Sequence, residues 1–515
     1  MRVGIIVGYM DQHRKGRHNR GAVQPQIGPL IAALLPGDVE IEIVNTTWED
    51  PDWSRSYDLL FLSALHPDFD QIRRIAHYWR RRGAKTVLGG IMASTYPEIC
   101  EPFFDAVVIG DPESTVPRVF DDFVRGRLQK VYSSGPYDAA SVPTPRFDLV
   151  RGKQLAPLSL EATRGCPFSC EFCALTGIGT RFQLRPPELV IRDILAGQEM
   201  LRGKCPPYLR KWVWFSDNNL GGNIPWLRRF CEAIRPLNVQ WSSAVTFNVA
   251  ANPQLVKMLS EAGCRLLFVG LESFNPEALT DMHKVQNAVE KTRQVFDHCR
   301  DHGIVLTAGL LVNPLVDDRE SMRAIPGQLR DCGLVLPAFI SFEAPIPGTP
   351  HFHRLARSEG ALLPDARLRD FTGYTLVTRP RRETVETFIE AYLRLLKTVY
   401  SRTNRLRMLA HNLPRLFRHR SWRMMAGLTA YAMTMSWDPS PERTFLAGTD
   451  LEPPELRRIP LSGSDFTSAA ERRAVMEPYP VTGRHGEVLP QWLHSRRGFA
   501  PAASAAEHHA ALTAV

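Results

Sequence analysis

Three of the nine cysteines, Cys166, Cys170 and Cys173, fall inside one short stretch, TRGCPFSCEFCALTG. The other six are scattered, so thiolate chemistry is concentrated here. A structural zinc site takes four tetrahedral ligands, usually in paired C-x-x-C form. The next thiol, Cys205, lies more than thirty residues on and is followed by two prolines, so no fourth ligand is evident. A disulfide would use two of the three and strand the last. The remaining reading is an iron–sulfur cubane, which three cysteines can hold while one iron stays open to an outside ligand. On this reading the missing fourth thiol is what makes the cluster reactive.

Such a cluster must be presented by a rigid frame. The chain has 515 residues, enough for two or three domains, because single cores seldom grow past ~250–300 residues. In residues 1–135 the runs RVGIIVGY, VEIEIVN, DLLFLSAL, KTVLGG and DAVVIGD read as strands of a doubly wound parallel sheet, their continuous apolarity suiting burial on both faces. DQIRRIAHYWRRRG, with Ile72, Ile75, Ala76 and Trp79 at helical spacing, reads as an intervening helix. Residues 136–154, rich in Ser, Pro and Gly, read as a linker. Residues 155–350 carry a second series: LSLEATRG, KWVWFSDNN, QWSSAVTF, CRLLFVGLES, IVLTAGLLVN and AFISFEAPIPG alternate with helices. Six such units predict a partial (β/α)6 TIM-type barrel with its chemistry at the C-terminal strand ends. The cysteines follow its first strand. Residues 351–440 read as a helical C-terminal domain, with Val385, Phe388, Ile389, Tyr392, Leu395, Leu396 and Val399 on one helix face, and 441–515 as a Pro-rich, partly disordered tail.

With this frame in place, C-x-x-x-C-x-x-C after a barrel's first strand, with Phe172 before the last Cys, resembles the radical S-adenosylmethionine (SAM) superfamily. FSDNN (Asp217 to Asn219) is similar to the turn that approaches the methionyl amine, and GLES (Gly270 to Ser273) to the segment that reaches the ribose. These matches imply SAM contacts at Phe172, Asp217, Glu272 and Ser273. Met282, Lys284 and the turn PIPGTP (Pro345 to Pro350) fit the same pattern, whereas LVNPLVDDRES departs from the Gly-Pro-Gly-Glu type of many relatives and leaves the adenine contact unassigned.

The α/β domain ahead of the barrel resembles the cobalamin-binding domain of the cobalamin-dependent members. The resemblance implies that Ser63, Gly89 and Gly90 face cobalamin, since glycine lets a nucleotide tail approach the backbone. DQHRKG matches D-x-H-x-x-G and implies His13 as a lower cobalt ligand whose other nitrogen a carboxylate orients. The family class implies a C-methyltransferase acting at an unactivated carbon: one SAM methylates cobalt and a second yields the 5′-deoxyadenosyl radical. The rival enzymatic reading is a cobalamin-assisted oxidation or cyclisation of the tetrapyrrole-cyclase type. A non-enzymatic cobalamin and cluster sensor is the reading from another class.

Composition bounds the partners. The start MRVGIIVGYM, followed by polar DQHRKG, reads as a strand and not a secretory signal, and clustered thiols point to a reducing compartment, so the expected location is cytoplasmic. The charge of +9 is spread over helix faces such as RRIAHYWRRRG, read as solvated surface, and a nucleic-acid partner is not expected. Residues 405–437 mix basic residues, Trp422, Trp437 and Met-rich runs, which raises peripheral membrane contact and a lipophilic substrate. The resemblance further implies a reductant such as flavodoxin or ferredoxin.

Overall fold

Apolar runs separated by helix-length stretches build two successive parallel sheets in this computed structural model, which describes residues 1–10, 18, 25–150, 157–179, 181–282, 292–334, 336–408, 410, 446–448 and 452–494. The first sheet comprises β1 (Arg2–Val7), β2 (Glu40–Asn45), β3 (Leu59–Ser63), β4 (Lys85–Gly89), β5 (Ala106–Ile109) and β6 (Val131–Ser133). Their order is β2-β1-β3-β4-β5-β6, and every neighbouring pair is parallel. Alternate residues serve opposite faces: Leu59 and Phe61 join Val3, Ile5 and Val87 in one core, whereas Leu60 and Leu62 join Ile6 and Leu88 in another. Burial on both faces is why these runs are apolar without alternation. The sixth strand, three residues long and at the edge, was too short to register as a run. The order reverses between β1 and β3, which opens a ligand crevice at the carboxyl ends there.

Helices Ile27–Ala33 and Pro112–Val124 cover one face and helix Phe69–Arg80 the other. In the last, Ile72, Ile75, Ala76 and Trp79 are buried as their spacing predicts. Its arginines are not all solvated, which corrects the surface reading of RRIAHYWRRRG. Arg73 and Arg74 are buried. Arg73 pairs with Asp70 at 2.9 Å and donates to the carbonyls of Ala474 and Glu477. Arg74 pairs with Glu452 at 2.6 Å. Residues 452–494, read from composition as tail, therefore fold onto this face, where Leu456, Ile459, Val481 and Trp492 enter the first domain's core.

The second sheet holds β7 (Leu158–Leu160), β10 (Trp212–Phe215), β11 (Gln240–Ala244), β12 (Cys264–Glu272), β13 (Val305–Val312) and β14 (Phe339–Phe342), parallel and in chain order, with β7 and β14 at the two open edges. It is an incomplete barrel. A two-stranded antiparallel ribbon, β8 (Thr163–Arg164) with β9 (Gln183–Leu184), follows β7. Helix Val385–Val399 starts at Thr384, whose hydroxyl accepts from the Thr387 N–H, and seats Phe388 and Tyr392 on Phe342 of β14. The preceding stretch instead sends Phe352, Leu355, Leu368 and Phe371 to the first domain's core. The region expected as a separate helical domain is thus shared between two cores, with Leu363 and Leu376 joining the barrel core from within a stretch that mostly serves the first domain. Among the described residues no helix is long and apolar enough to cross a membrane.

Candidate functional site

The cysteine loop leaves β8 and is anchored at its base by Asp217, which follows β10. The buried Asp217 carboxylate accepts from the Ala162 N–H at 3.1 Å, the Thr163 hydroxyl at 2.6 Å and the Thr163 N–H. Burial outweighs these bonds and raises its pKa to about 7. Asp217 therefore braces the loop, whereas its sequence neighbour Asn219 reaches the thiols: its Nδ2 donates to Cys166 Sγ at 3.7 Å. The fully buried Asn219 Oδ1 has no partner among the described residues. Phe172 packs with Ala278, Met282 and Val316 and so pins the loop to the ends of the barrel strands. Cys173 caps helix Ala174–Ile178 in extended conformation.

All nine cysteines are outside disulfides. Burial pushes the Cys173 thiol up to about 11, with Cys170 and Cys166 adding to the rise. No three His, Cys, Asp or Glu side chains among the described residues gather around a single-ion position. Three cysteine thiols on one loop are the donors that a cubane with one open iron takes. The donor set fits a 4Fe–4S cluster.

Across from the loop, a cavity of ≈ 850 Å³ opens at the carboxyl ends of β3, β4 and β5 and is lined by Ser63, Gly89 and Gly90. Its inner end is an apolar slot between Leu30, Phe61, Val87, Val108 and Val116, and its outer end reaches Glu161, Arg164, Gly179 and Ser216 of the barrel. Gly90 needs its hydrogen: φ is +94°, and a Cβ would lie 2.8 Å from the Ala64 carbonyl oxygen. At Gly89 a Cβ would meet nothing closer than Val108 at 3.9 Å, so the backbone itself forms that wall. A flat macrocycle with an aromatic tail fits an apolar slot of this kind. His13, the expected cobalt ligand, and Lys284 lie outside the described residues, as do 409 and 411–437 of the basic, Met-rich stretch.

The two halves are locked together. Helix Ile91–Thr95, following Gly90, packs on helix Ala174–Ile178, following Cys173. Gly348 of PIPGTP sits between them with φ +88°, and a Cβ there would approach Thr95 Cγ2 to 2.3 Å. Arg164, two residues before the first cysteine of the loop, pairs with Glu113 at 2.8 Å and Asp111 at 3.0 Å from the first domain, and with Glu161 at 2.7 Å. Sequence reasoning missed this clamp, although Arg164 stands in the quoted cysteine stretch.

At the far side of the barrel mouth, Glu272 ends β12 with φ +62°, beside a register shift between Gly270 and Glu272. A left-handed, non-glycine residue at a bulge is a strained position that re-aims a side chain, a hallmark of ligand-contacting sites. Glu272 and Ser273 are both buried. A second unread residue is Glu343, just past β14: it is buried, and among the described residues its Oε2 lacks a partner and its carboxylate lies 3.7 Å from His351 Nε2. Burial raises Glu343 to about 8 and lowers His351 to about 4, so the pair is largely uncharged at neutral pH.

Comparison with known proteins follows these features. The Radical SAM superfamily profile matches residues 160–324, which begin at the end of β7 and run past β13. The chain is 26% identical over 342 residues to bacteriochlorophyllide d C-8(2)-methyltransferase of Chlorobaculum tepidum, covering 64% of this chain and 75% of that one. It is 26% identical over 362 residues to hopanoid C-2 methylase of Rhodopseudomonas palustris, covering 66% of each. Among solved structures, the radical S-adenosylmethionine methyltransferase TsrM of Kitasatospora setae superposes with a TM-score of 0.55 at 17% identity, over 71% of this chain and 78% of that one. At that identity the likeness speaks for the fold: a parallel half-barrel with mixed α/β structure.

Proposed function

We propose, on the premise that this chain carries a radical SAM domain, that it is a cobalamin-dependent radical SAM C-methyltransferase acting on an unactivated carbon of a small-molecule or lipid substrate. The observation that carries this reading is the ≈ 850 Å³ cavity, which runs from the Gly89–Gly90 wall to the ribbon that launches the cysteine loop. The three cysteines lie beyond the barrel end of this chamber, on the loop that follows Arg164 of its lining. When bound, the cluster with SAM supplies radical chemistry and cobalamin supplies methyl carriage.

The chain's own residues hold and orient. Cys166, Cys170 and Cys173 hold the cluster, and Asn219 donates to the first of them. Glu272 and Ser273 contact SAM, and Phe172 and Asp217 act by fixing the loop. Ser63, Gly89 and Gly90, in a cobalamin domain of residues 1–135, receive the tail. His13 would hold cobalt if nitrogen splitting of the cob(II)alamin paramagnetic spectrum vanishes in His13→Ala, and is a surface-loop histidine if the wild type shows no such splitting. The protein works in the cytoplasm with flavodoxin or ferredoxin as reductant.

One similarity favours a second reading: 22% identity over 286 residues to anaerobic magnesium-protoporphyrin IX monomethyl ester cyclase of Rubrivivax gelatinosus. Product stoichiometry separates the two. A methyltransferase releases S-adenosylhomocysteine and 5′-deoxyadenosine in equal amounts, and metabolite mass spectra of expressing cells gain a methylene. A cyclase yields 5′-deoxyadenosine alone. Absence of SAM cleavage with a verified substrate defeats both.

A further inference from the structure

Away from the cofactor cavity, and sharing no residue with it, the C-terminal segment closes a second chamber of ≈ 410 Å³ over the outer side of helix Phe69–Arg80. Five arginines line it, Arg74, Arg367, Arg369, Arg472 and Arg473, against two carboxylates, Glu452 and Glu477. Among the lining residues, arginines thus outnumber carboxylates. Glu452 is also shared with Arg457, which lies outside the chamber, at 3.8 Å. Arg74 and Arg369 are buried, so the positive charge reaches below the surface.

Some of these groups serve the fold. Arg74 Nη1 donates to the Leu456 carbonyl and Nη2 to the Met476 carbonyl, which fastens the C-terminal segment. Two observations exceed that role. The buried Arg74 Nε has no hydrogen-bond partner among the described residues, and a buried donor left unmade is destabilising. Arg472 and Arg473, side by side on helix Ala469–Met476, are exposed and have no side-chain hydrogen bond or ion pair among the described residues. Guanidinium groups crowd together at a cost unless an anion sits between them, and their planar forks match the paired oxygens of phosphate.

We propose that this chamber is a binding site for a phosphate or diphosphate group, separate from the reaction centre. The buried arginines form its floor, and Arg472 and Arg473 close over the ligand from the rim. The phosphate is carried either by a soluble ester or by a lipid headgroup.

The test uses the full-length holoenzyme under anaerobic conditions. Calorimetry with inorganic phosphate and pyrophosphate should show saturable binding, one per chain, weakened about tenfold or more in Arg472→Ala/Arg473→Ala. Those side chains hold no part of the fold, so the variant should melt with the wild type. Arg125→Ala/Arg202→Ala removes the same charge elsewhere and should bind as the wild type does. Sedimentation with phosphatidylcholine vesicles, with and without phosphatidic acid, identifies the source. Capture by phosphatidic acid that pyrophosphate competes away assigns a lipid headgroup; binding of free pyrophosphate without vesicle capture assigns a soluble ester. No binding of any probe, or equal loss of affinity in both double variants, overturns the site.

Discussion

Asp217 and Glu343 show how one functional group, the carboxyl, takes two roles under burial. Asp217 gathers three donors at the root of the cysteine loop, so its carboxylate is a fixed point of the backbone. In Asp217→Asn an amide N–H faces a backbone N–H, and the loss of charge-assisted bonds with a stranded donor costs about 2–4 kcal/mol. Anaerobic reconstitution should then give fewer irons and sulfides per chain than wild type, with a lower melting temperature. Unchanged cluster content would remove Asp217 from the positioning role. Glu343 has no such donors, and its pKa rises from 4.5 to about 8. The folded state therefore keeps a proton that the unfolded chain loses above its ordinary carboxylate range. Its contribution to stability is full below about pH 4.5 and is lost as pH rises through about 8, at a slope of up to ~1.4 kcal/mol per pH unit. Glu343→Gln should flatten the pH dependence of apoprotein melting across that window. A parallel curve for both proteins would place the proton elsewhere.

At the scale of elements, the wall of the first cavity and the clamp beside it can be altered separately. A side chain at Gly89 would extend into open space past Val108, whereas one at Gly90 would strike the Ala64 carbonyl. Gly89→Leu should therefore fold, melt near the wild type and fail to retain cobalamin after anaerobic loading, read from its visible spectrum. Retained cobalamin would show that the tail does not pass this wall. Arg164 joins the two domains with its side chain 12% exposed, and Glu113 opposite it is 6% exposed. Removing one partner of such a pair leaves buried charge uncompensated, at about 3–5 kcal/mol. Arg164→Ala should loosen the domain junction, seen as faster proteolysis between residues 136 and 157. Arg164→Met with Glu113→Gln should recover only part of the loss, because Glu161 and Asp111 lose the same partner.

The whole molecule depends on contacts that are remote in sequence. Trp492 is fully buried, donates from its indole to the Pro480 carbonyl, and stacks edge-on against Tyr96 and Tyr479. Tyr96 immediately follows the helix that meets the cysteine helix, so the C-terminal segment supports the domain junction from behind. Trp492→Ala should cost about 3–5 kcal/mol, and a chain ending at residue 448 should expose the second core of the first domain and precipitate. A soluble, cobalamin-retaining truncation would show that residues 452–494 are dispensable.

How much of this was legible depends on how locally each feature is encoded. The two strand series, the helix from Phe69 to Arg80 and the face of helix Val385–Val399 follow from side-chain periodicity, which is a property of neighbours in sequence. The cysteine loop was equally legible, since its three thiols fall within eight residues. Other features were decided by tertiary structure. Whether Arg73 and Arg74 are solvated depends on a segment almost four hundred residues away, and no local pattern announces that cover. The Arg164 clamp and the Glu343–His351 pair are likewise ordinary charged residues in sequence. Asp217 and Asn219 were read as one motif, yet the turn after β10 directs the first to backbone donors and the second to a thiol. Sequence by itself determined the elements and the metal chemistry, because both are set by residue type at short spacing. Only the tertiary structure decided which polar groups are buried and what they face, because burial is a property of distant chain brought together.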